Sequence, residues 1–188
     1  MTTTITGAPS TVATTWEVDP AHTQVEFEVK HMMFAKVRGR FTDVAGSLAI
    51  GPEGENALSR ASVVIRAGSI DTGQTQRDEH LRSPDFFDAE RFPELTFESR
   101  AVTRDGDHLV VPGALTIRDV TREVELEVEE TGEGIDPWGN ERIGFAAKTT
   151  IDRRDFGLTW NQALEAGGIL VGNDIRIRIE VQAIRSDA

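Results

Sequence analysis

Four histidines, His22, His31, His80 and His108, are the side chains of this chain best suited to proton transfer or metal ligation. They are scattered. No HExxH, no HxH and no pair of histidines spaced by three residues occurs, so no local metal spacing is signalled. A site assembled across the fold from His22, His31 and His80 competes with the plainer reading that each makes a structural hydrogen bond. Asp19 precedes His22 by three residues and could form an acid–base pair with it, although Asp-Pro-Ala-His also marks a turn entering a strand. No serine sits in a G-x-S-x-G elbow, and the phosphate-cradling patterns G-x-G-x-x-G and G-x-x-x-x-G-K are missing. Cysteine and tyrosine are absent. That removes disulfides, thiol catalysis, iron–sulfur ligation and phenolic chemistry together. No metal and no cofactor are expected.

Charge narrows the partners. With 20 basic and 32 acidic residues, the 188-residue chain carries a formal net charge of −12. Nucleic acids are recognised by cationic clusters, and anionic membranes attract polybasic segments, so both are disfavoured as partners. The acidity is spread over both halves of the chain rather than gathered in a tail. Glu123, Glu125, Glu127 and Glu129 fall on one face of a strand, which is usually a solvated face. Lys36, Arg38 and Arg40 form the opposite stripe on an early strand, and Arg176 with Arg178 on a late one. Cross-strand pairing with acidic neighbours is the plainer explanation of those stripes, and an anionic-headgroup site the sharper one. Residues 1–15 read as a flexible Thr/Ala/Ser tail without a basic n-region or a continuous apolar run, and no stretch is long and apolar enough for a membrane span. A cytoplasmic location without membrane insertion is the expectation.

The elements that must position any site repeat with a period of two. Val25, Phe27 and Val29 alternate with Gln24, Glu26, Glu28 and Lys30. Val124, Leu126 and Val128 alternate with glutamates, and Ile175 to Ala183 alternate with Asp174 to Gln182. Further strands are expected at 34–42, 44–50, 61–69, 94–103, 108–118 and 143–151. Gly51 to Glu55, Asp105 to Asp107 and Thr131 to Asn140 read as turns or loops. Between Thr72 and Arg91 the alternation breaks. Thr75 followed by Asp78 and Glu79, then Ser83 as an N-cap before Pro84, predicts one or two short helices. Another helical or irregular piece is expected around 153–167. Long antiparallel strands with one polar face must hide the other, and a sheet closed on itself does so without edges. The fold class is therefore all-β: an extended antiparallel eight-stranded β-barrel, one domain over 16–188, with a two-sheet sandwich as the alternative.

Such a barrel is either filled by side chains or encloses one small ligand. All 12 aromatic residues are phenylalanine or tryptophan, and many lie outside the clean strands: Phe34, Phe86, Phe87, Phe92, Phe156 and Trp160. They either plug the barrel or line a lipophilic pocket and its mouth.

Beyond periodicity, the run from Trp16 to Met32 resembles the opening of the YceI-like family. Ser69-Ile-Asp-Thr-Gly73, Arg77-Asp-Glu-His-Leu-Arg-Ser-Pro-Asp-Phe-Phe-Asp88, Phe92-Pro93, Gly113 to Arg118 and Ile151 to Gly157 follow in that family's order. The resemblance spans Trp16 to about Ile184. It implies a lipocalin-like barrel whose hydrophobic pore holds a polyisoprenoid or similar amphiphile. It makes a homodimer one expectation, on which the residues themselves are silent. Many relatives carry a signal peptide. Asp119 and Glu123 stand where many have Gly and Pro, a change expected to alter a turn rather than the pore.

Three functional readings follow, in order: a non-enzymatic carrier or storage protein for a long-chain isoprenoid or related lipid; a filled barrel serving as an interaction module; and a lipid-modifying enzyme with a His/carboxylate acid–base pair. Inward-facing candidates are Phe27, Val29, Phe41, Phe97, Leu115 and Phe145. Lid and mouth candidates are Phe34, Phe86, Phe87, Phe156 and Trp160, with His31, Arg77 and His80 as polar contacts.

Overall fold

A computed structural model describes residues 13–52, 59–165 and 167–186. Its elements are β1 (Thr14–Val18), β2 (Gln24–His31), β3 (Ala35–Phe41), β4 (Val44–Ile50), β5 (Arg60–Arg66), β6 (Ile70–Asp71), α1 (Thr75–Arg82), β7 (Glu94–Ser99), β8 (Thr103–Asp105), β9 (His108–Ile117), β10 (Val120–Ile135), β11 (Glu141–Asp152) and β12 (Val171–Arg185). Every pairing is antiparallel. Hydrogen bonding runs β1-β4-β5-β7-β9-β10-β11-β12, and β12 returns to β1, so the sheet closes. β2 and β3 continue the hairpin begun by β1 and β4, the break between β1 and β2 falling at Asp19, whose carboxylate accepts from the Ala21 N–H. Counting each broken pair as one, eight antiparallel strands form the barrel.

The alternation places the core. Val25, Phe41, Val44, Leu95, Ile117 and Ile151 are buried on the inner face. Outward rows pair charges across strands, as Lys148 does with Glu127 at 2.8 Å. At 16 residues β10 is the longest strand, about 50 Å of extended chain. It runs through Thr131 to Ile135, where the sequence reads as loop, because a bulge between Glu130 and Gly132 keeps the pairing with β11. That bulge seats Thr131 against Gly144, where a Cβ would lie 2.5 Å from the threonine hydroxyl. The turn that remains, Asp136 to Asn140, is closed by the Asp136 carboxylate, which accepts from the Trp138 and Asn140 N–H groups at 2.9 Å.

One α-helix is present among the described residues. Gln74 caps its start, and Ser83 is its C-cap rather than the N-cap of a second helix. The Ser83 N–H and hydroxyl both bind the His80 carbonyl, Pro84 cannot continue the helix, and residues 84–87 form turns. The piece after β11 is a single 3-10 turn, Arg153–Phe156. Of the expected N-terminal tail, residues 1–12 lie outside the described residues, and Thr14 and Thr15 already belong to β1. The expected Gly51–Glu55 loop also runs into residues that are not described, 53–58.

Candidate functional site

The inner faces of the strands enclose a cavity of about 350 Å³. Aliphatic and aromatic side chains make nearly all of it: Phe27 and Val29 from β2, Phe97 from β7, Leu115 from β9, Leu126 and Val128 from β10, Phe145 from β11, and Ile175, Ile177, Ile179 and Val181 from β12. Polar residues are few. Ser59, Arg60, Arg104 and Glu130 stand at one rim, Arg153 at the other end, and Thr23, Glu26 and Thr149 along the wall. Among the described residues of that wall, no hydrogen bond links a histidine to a carboxylate or to a hydroxyl.

The end carrying α1 is sealed. Ile70 and Phe156 are 0% and 2% exposed there, and Phe86 and Leu158 are also buried. Aromatic rings meet edge on: Phe41 against Phe87 at 5.7 Å, His80 against Trp160 at 4.6 Å and His80 against Phe86 at 5.1 Å. Arg153, 4% exposed, holds the returning chain over this end. Its guanidinium donates to the carbonyls of Gly172 (2.9 Å), Leu158 (2.6 Å) and Trp160 (2.9 Å). Burial pulls its pKa below the ordinary arginine value. At the opposite end the lining residues Arg104 and Glu130 are exposed.

Nine of the residues singled out from the sequence line this cavity, Phe27, Val29, Phe41, Phe86, Phe87, Phe97, Leu115, Phe145 and Phe156, and a tenth, Trp160, packs behind Phe86 at 5.3 Å without lining it. The other four lie elsewhere. Phe34 is 81% exposed in the β2–β3 turn, because a three-residue turn has no interior to bury it. His31 is half-buried at the last β2 pair, opposite Ala35 and Val171. Arg77 is a clamp: its Nε donates to the Thr72 hydroxyl at 2.7 Å and an Nη to the Thr72 carbonyl at 2.9 Å, while Asp78 accepts from the Thr72 N–H. His80 faces Asp85, Nε2 to Oδ2 2.9 Å, on the outer layer of the seal. His22 pairs with Asp19 at 2.8 Å, and neither this pair nor His80–Asp85 borders the cavity.

Two features escaped the sequence reading. The β12 isoleucines line the cavity as fully as the aromatics, and their strict alternation was the available signal. His108, Glu127 and Glu129 place one donor atom each within 4.8 Å on the outer face of β9 and β10, a set able to hold a metal ion. The Lys148 ammonium already sits on Glu127 at 2.8 Å and lowers its pKa. Only the cross-strand register, Val128 opposite Leu109, brings His108 beside these glutamates.

Comparison with known proteins agrees with this geometry. A UPF0312 protein of Pectobacterium atrosepticum is 34% identical over 183 residues, 96% of this chain and 92% of that protein. Among solved structures, Burkholderia cenocepacia BcnA superposes with a TM-score of 0.76 at 23% identity, over 88% of this chain and 98% of that one. A polyisoprenoid binding domain from Saccharophagus degradans superposes with a TM-score of 0.65 at 15% identity, over 91% and 98% of the two chains. With residues 16–183 matching the YceI-like domain, the chain belongs to the YceI-like family.

Proposed function

We propose that this protein binds a long-chain isoprenoid or related amphiphilic lipid inside its barrel and acts as a carrier or storage protein for it. The cavity wall carries this reading: a closed barrel whose interior is aliphatic and aromatic from the Phe86–Phe156 seal to the Arg104–Glu130 rim. Its volume of about 350 Å³ suits one slender chain rather than a bulky solute. An isoprenoid offers apolar area and little else. Burying one five-carbon unit contributes up to roughly 4 kcal/mol at ~0.8 kcal/mol per CH₂, against an association cost on the order of 4–15 kcal/mol. Several units therefore suffice for micromolar binding without a hydrogen bond. The polyisoprenoid binding domain of Saccharophagus degradans, named for such a ligand, has the same fold, which supports the assignment.

The wall also favours a carrier over an enzyme, since the His–carboxylate pairs at Asp19–His22 and His80–Asp85 lie outside it. To test this, delipidated protein is mixed with a prenyl quinone and passed through a sizing column. Co-elution of about one unchanged quinone per chain is expected. Quinone that elutes free indicates a filled barrel, and a chemically altered quinone indicates an enzyme.

A further inference from the structure

The outer face of β12, β2 and β3 gathers cations. In register, Arg176 lies opposite Glu28 and Glu28 opposite Arg38, while Arg178 lies opposite Glu26 and Glu26 opposite Arg40. Lys30 and Lys36 pair one step further along. Six cations share this face with Glu26, Glu28, Asp71 and, further along the β12 row, Asp174 and Glu180, which leaves a small excess of positive charge on a chain whose net charge is −12. Glu28 alone carries three partners: Lys36 at 3.0 Å, Arg38 at 3.0 Å and Arg176 at 3.3 Å. Arg40 is held by Asp71 at 3.1 Å. A groove of about 320 Å³ runs between Arg38, Arg40, Arg176 and Arg178.

At the end of the same hairpin stands an apolar tip. Met32, Met33 and Phe34 are 39%, 59% and 81% exposed. Met32 and Met33 both adopt left-handed backbone, φ +52° and +70°, where turn chemistry favours Asn and Gly. Large apolar side chains therefore occupy these turn positions, Met33 resting against Gly168 and Phe34 standing in solvent. The other exposed apolar pair, Ile135 and Trp138, sits among Glu133, Asp136 and Glu141, whose charge an anionic surface repels.

From this juxtaposition we infer that the β2–β3 hairpin docks the barrel on an anionic lipid bilayer, with Met32, Met33 and Phe34 entering the interface and the arginine-rich face against the headgroups. Neither signal suffices alone, because stable peripheral attachment combines an apolar insertion with basic charge. The occupant is a membrane rather than a soluble anion because the apolar tip has no role in binding phosphate. Docking of this kind needs no particular cargo and is independent of what fills the barrel. It runs against the expectation, drawn from net charge, that anionic membranes are disfavoured as partners.

Co-sedimentation with vesicles tests it. Delipidated protein should sediment with phosphatidylcholine vesicles containing about one-third phosphatidylglycerol, and not with phosphatidylcholine alone. Phe34→Ser and Arg178→Glu should each lower the bound fraction about fivefold, with unchanged thermal unfolding. Arg100→Glu, a charge change beyond the end of β7 on the far side of the barrel, should leave it unaltered. About 0.5 M salt should release the protein. Absence of sedimentation, equal binding to neutral vesicles, or a loss in Arg100→Glu matching that in Arg178→Glu overturns the inference.

Discussion

The ring of Phe27 lies over Gly39 on the neighbouring strand, so close that a Cβ there would stand 2.4 Å from its Cζ. The two residues are register partners, and the glycine lets a cavity-lining ring lie flat against the wall. Gly113 gives Phe97 the same room, at 2.4 Å from Cζ, but a Cβ there also meets the Glu98 carbonyl oxygen at 2.7 Å. Gly39→Ala displaces side chains only and should destabilise by roughly 1–3 kcal/mol, while tilting Phe27 into the lumen and lowering lipid capacity. Gly113→Ala forces backbone to move and should cost more. Chemical denaturation of both variants checks the order, and equal costs would contradict it.

A charge in the wall should be intolerable where a charge outside is not. Phe145 lines the cavity, whereas Glu127 faces outward to Lys148. Phe145→Asp should abolish lipid uptake, because an ionised carboxylate among hydrocarbon finds no partner. Glu127→Lys should leave uptake intact. The sizing-column assay reads both, and equal uptake by the two variants would sink the lumen as the binding site.

Acid should unlock the β10–β11 turn. Arg142 joins Asp19 at 2.7 Å and Asp136 at 2.8 Å. Its hydrogen bond to Asp19 is the main reason that carboxyl is lowered to about 2, and Asp136, held first by Asn140 and then by Arg142, lies well below the usual carboxylate range. A carboxylate with a depressed folded-state pKa stabilises fully above its unfolded value near 3.8 and loses that stabilisation as pH falls toward 2. Wild-type unfolding should therefore steepen between about pH 4 and pH 2. Arg142→Ala should move the acid transition, followed by circular dichroism, to higher pH. An unmoved transition would show that the cluster contributes nothing.

Arg153 should be irreplaceable by lysine. Its fork serves the Gly172, Leu158 and Trp160 carbonyls together, and an ammonium on a single stem cannot reach all three. Arg153→Met leaves buried acceptors unpaired, at a cost of roughly 2–5 kcal/mol. Arg153→Lys should recover less than half of that loss in the same denaturation experiment.

Period-two alternation made β2, the first half of β10, β11 and β12 readable, since each buries one face and solvates the other. Where two faces do not differ, as in Thr131 to Ile135, the pattern vanished although pairing continued through a bulge. Ser83 misled because a serine before proline serves a helix end as well as a helix start. Phe27, Phe97 and Phe145 could be placed inward from alternation alone. Phe34 could not be told from the lid phenylalanines Phe86 and Phe87, because aromaticity says nothing about whether a turn has an interior. Arg77 drew attention through its motif, yet its partners are the backbone and hydroxyl of Thr72. Net charge hid the arginine-rich face, which exists only once β12 pairs with β2.

Whether a lipid occupies the barrel is tested most directly by solvent extraction of the purified protein followed by mass spectrometry. A prenyl or acyl chain recovered at about one per protein is the expected result, and it would identify the cargo. A blank extract that stays blank after incubation with a prenyl quinone would contradict the binding of lipid in the lumen.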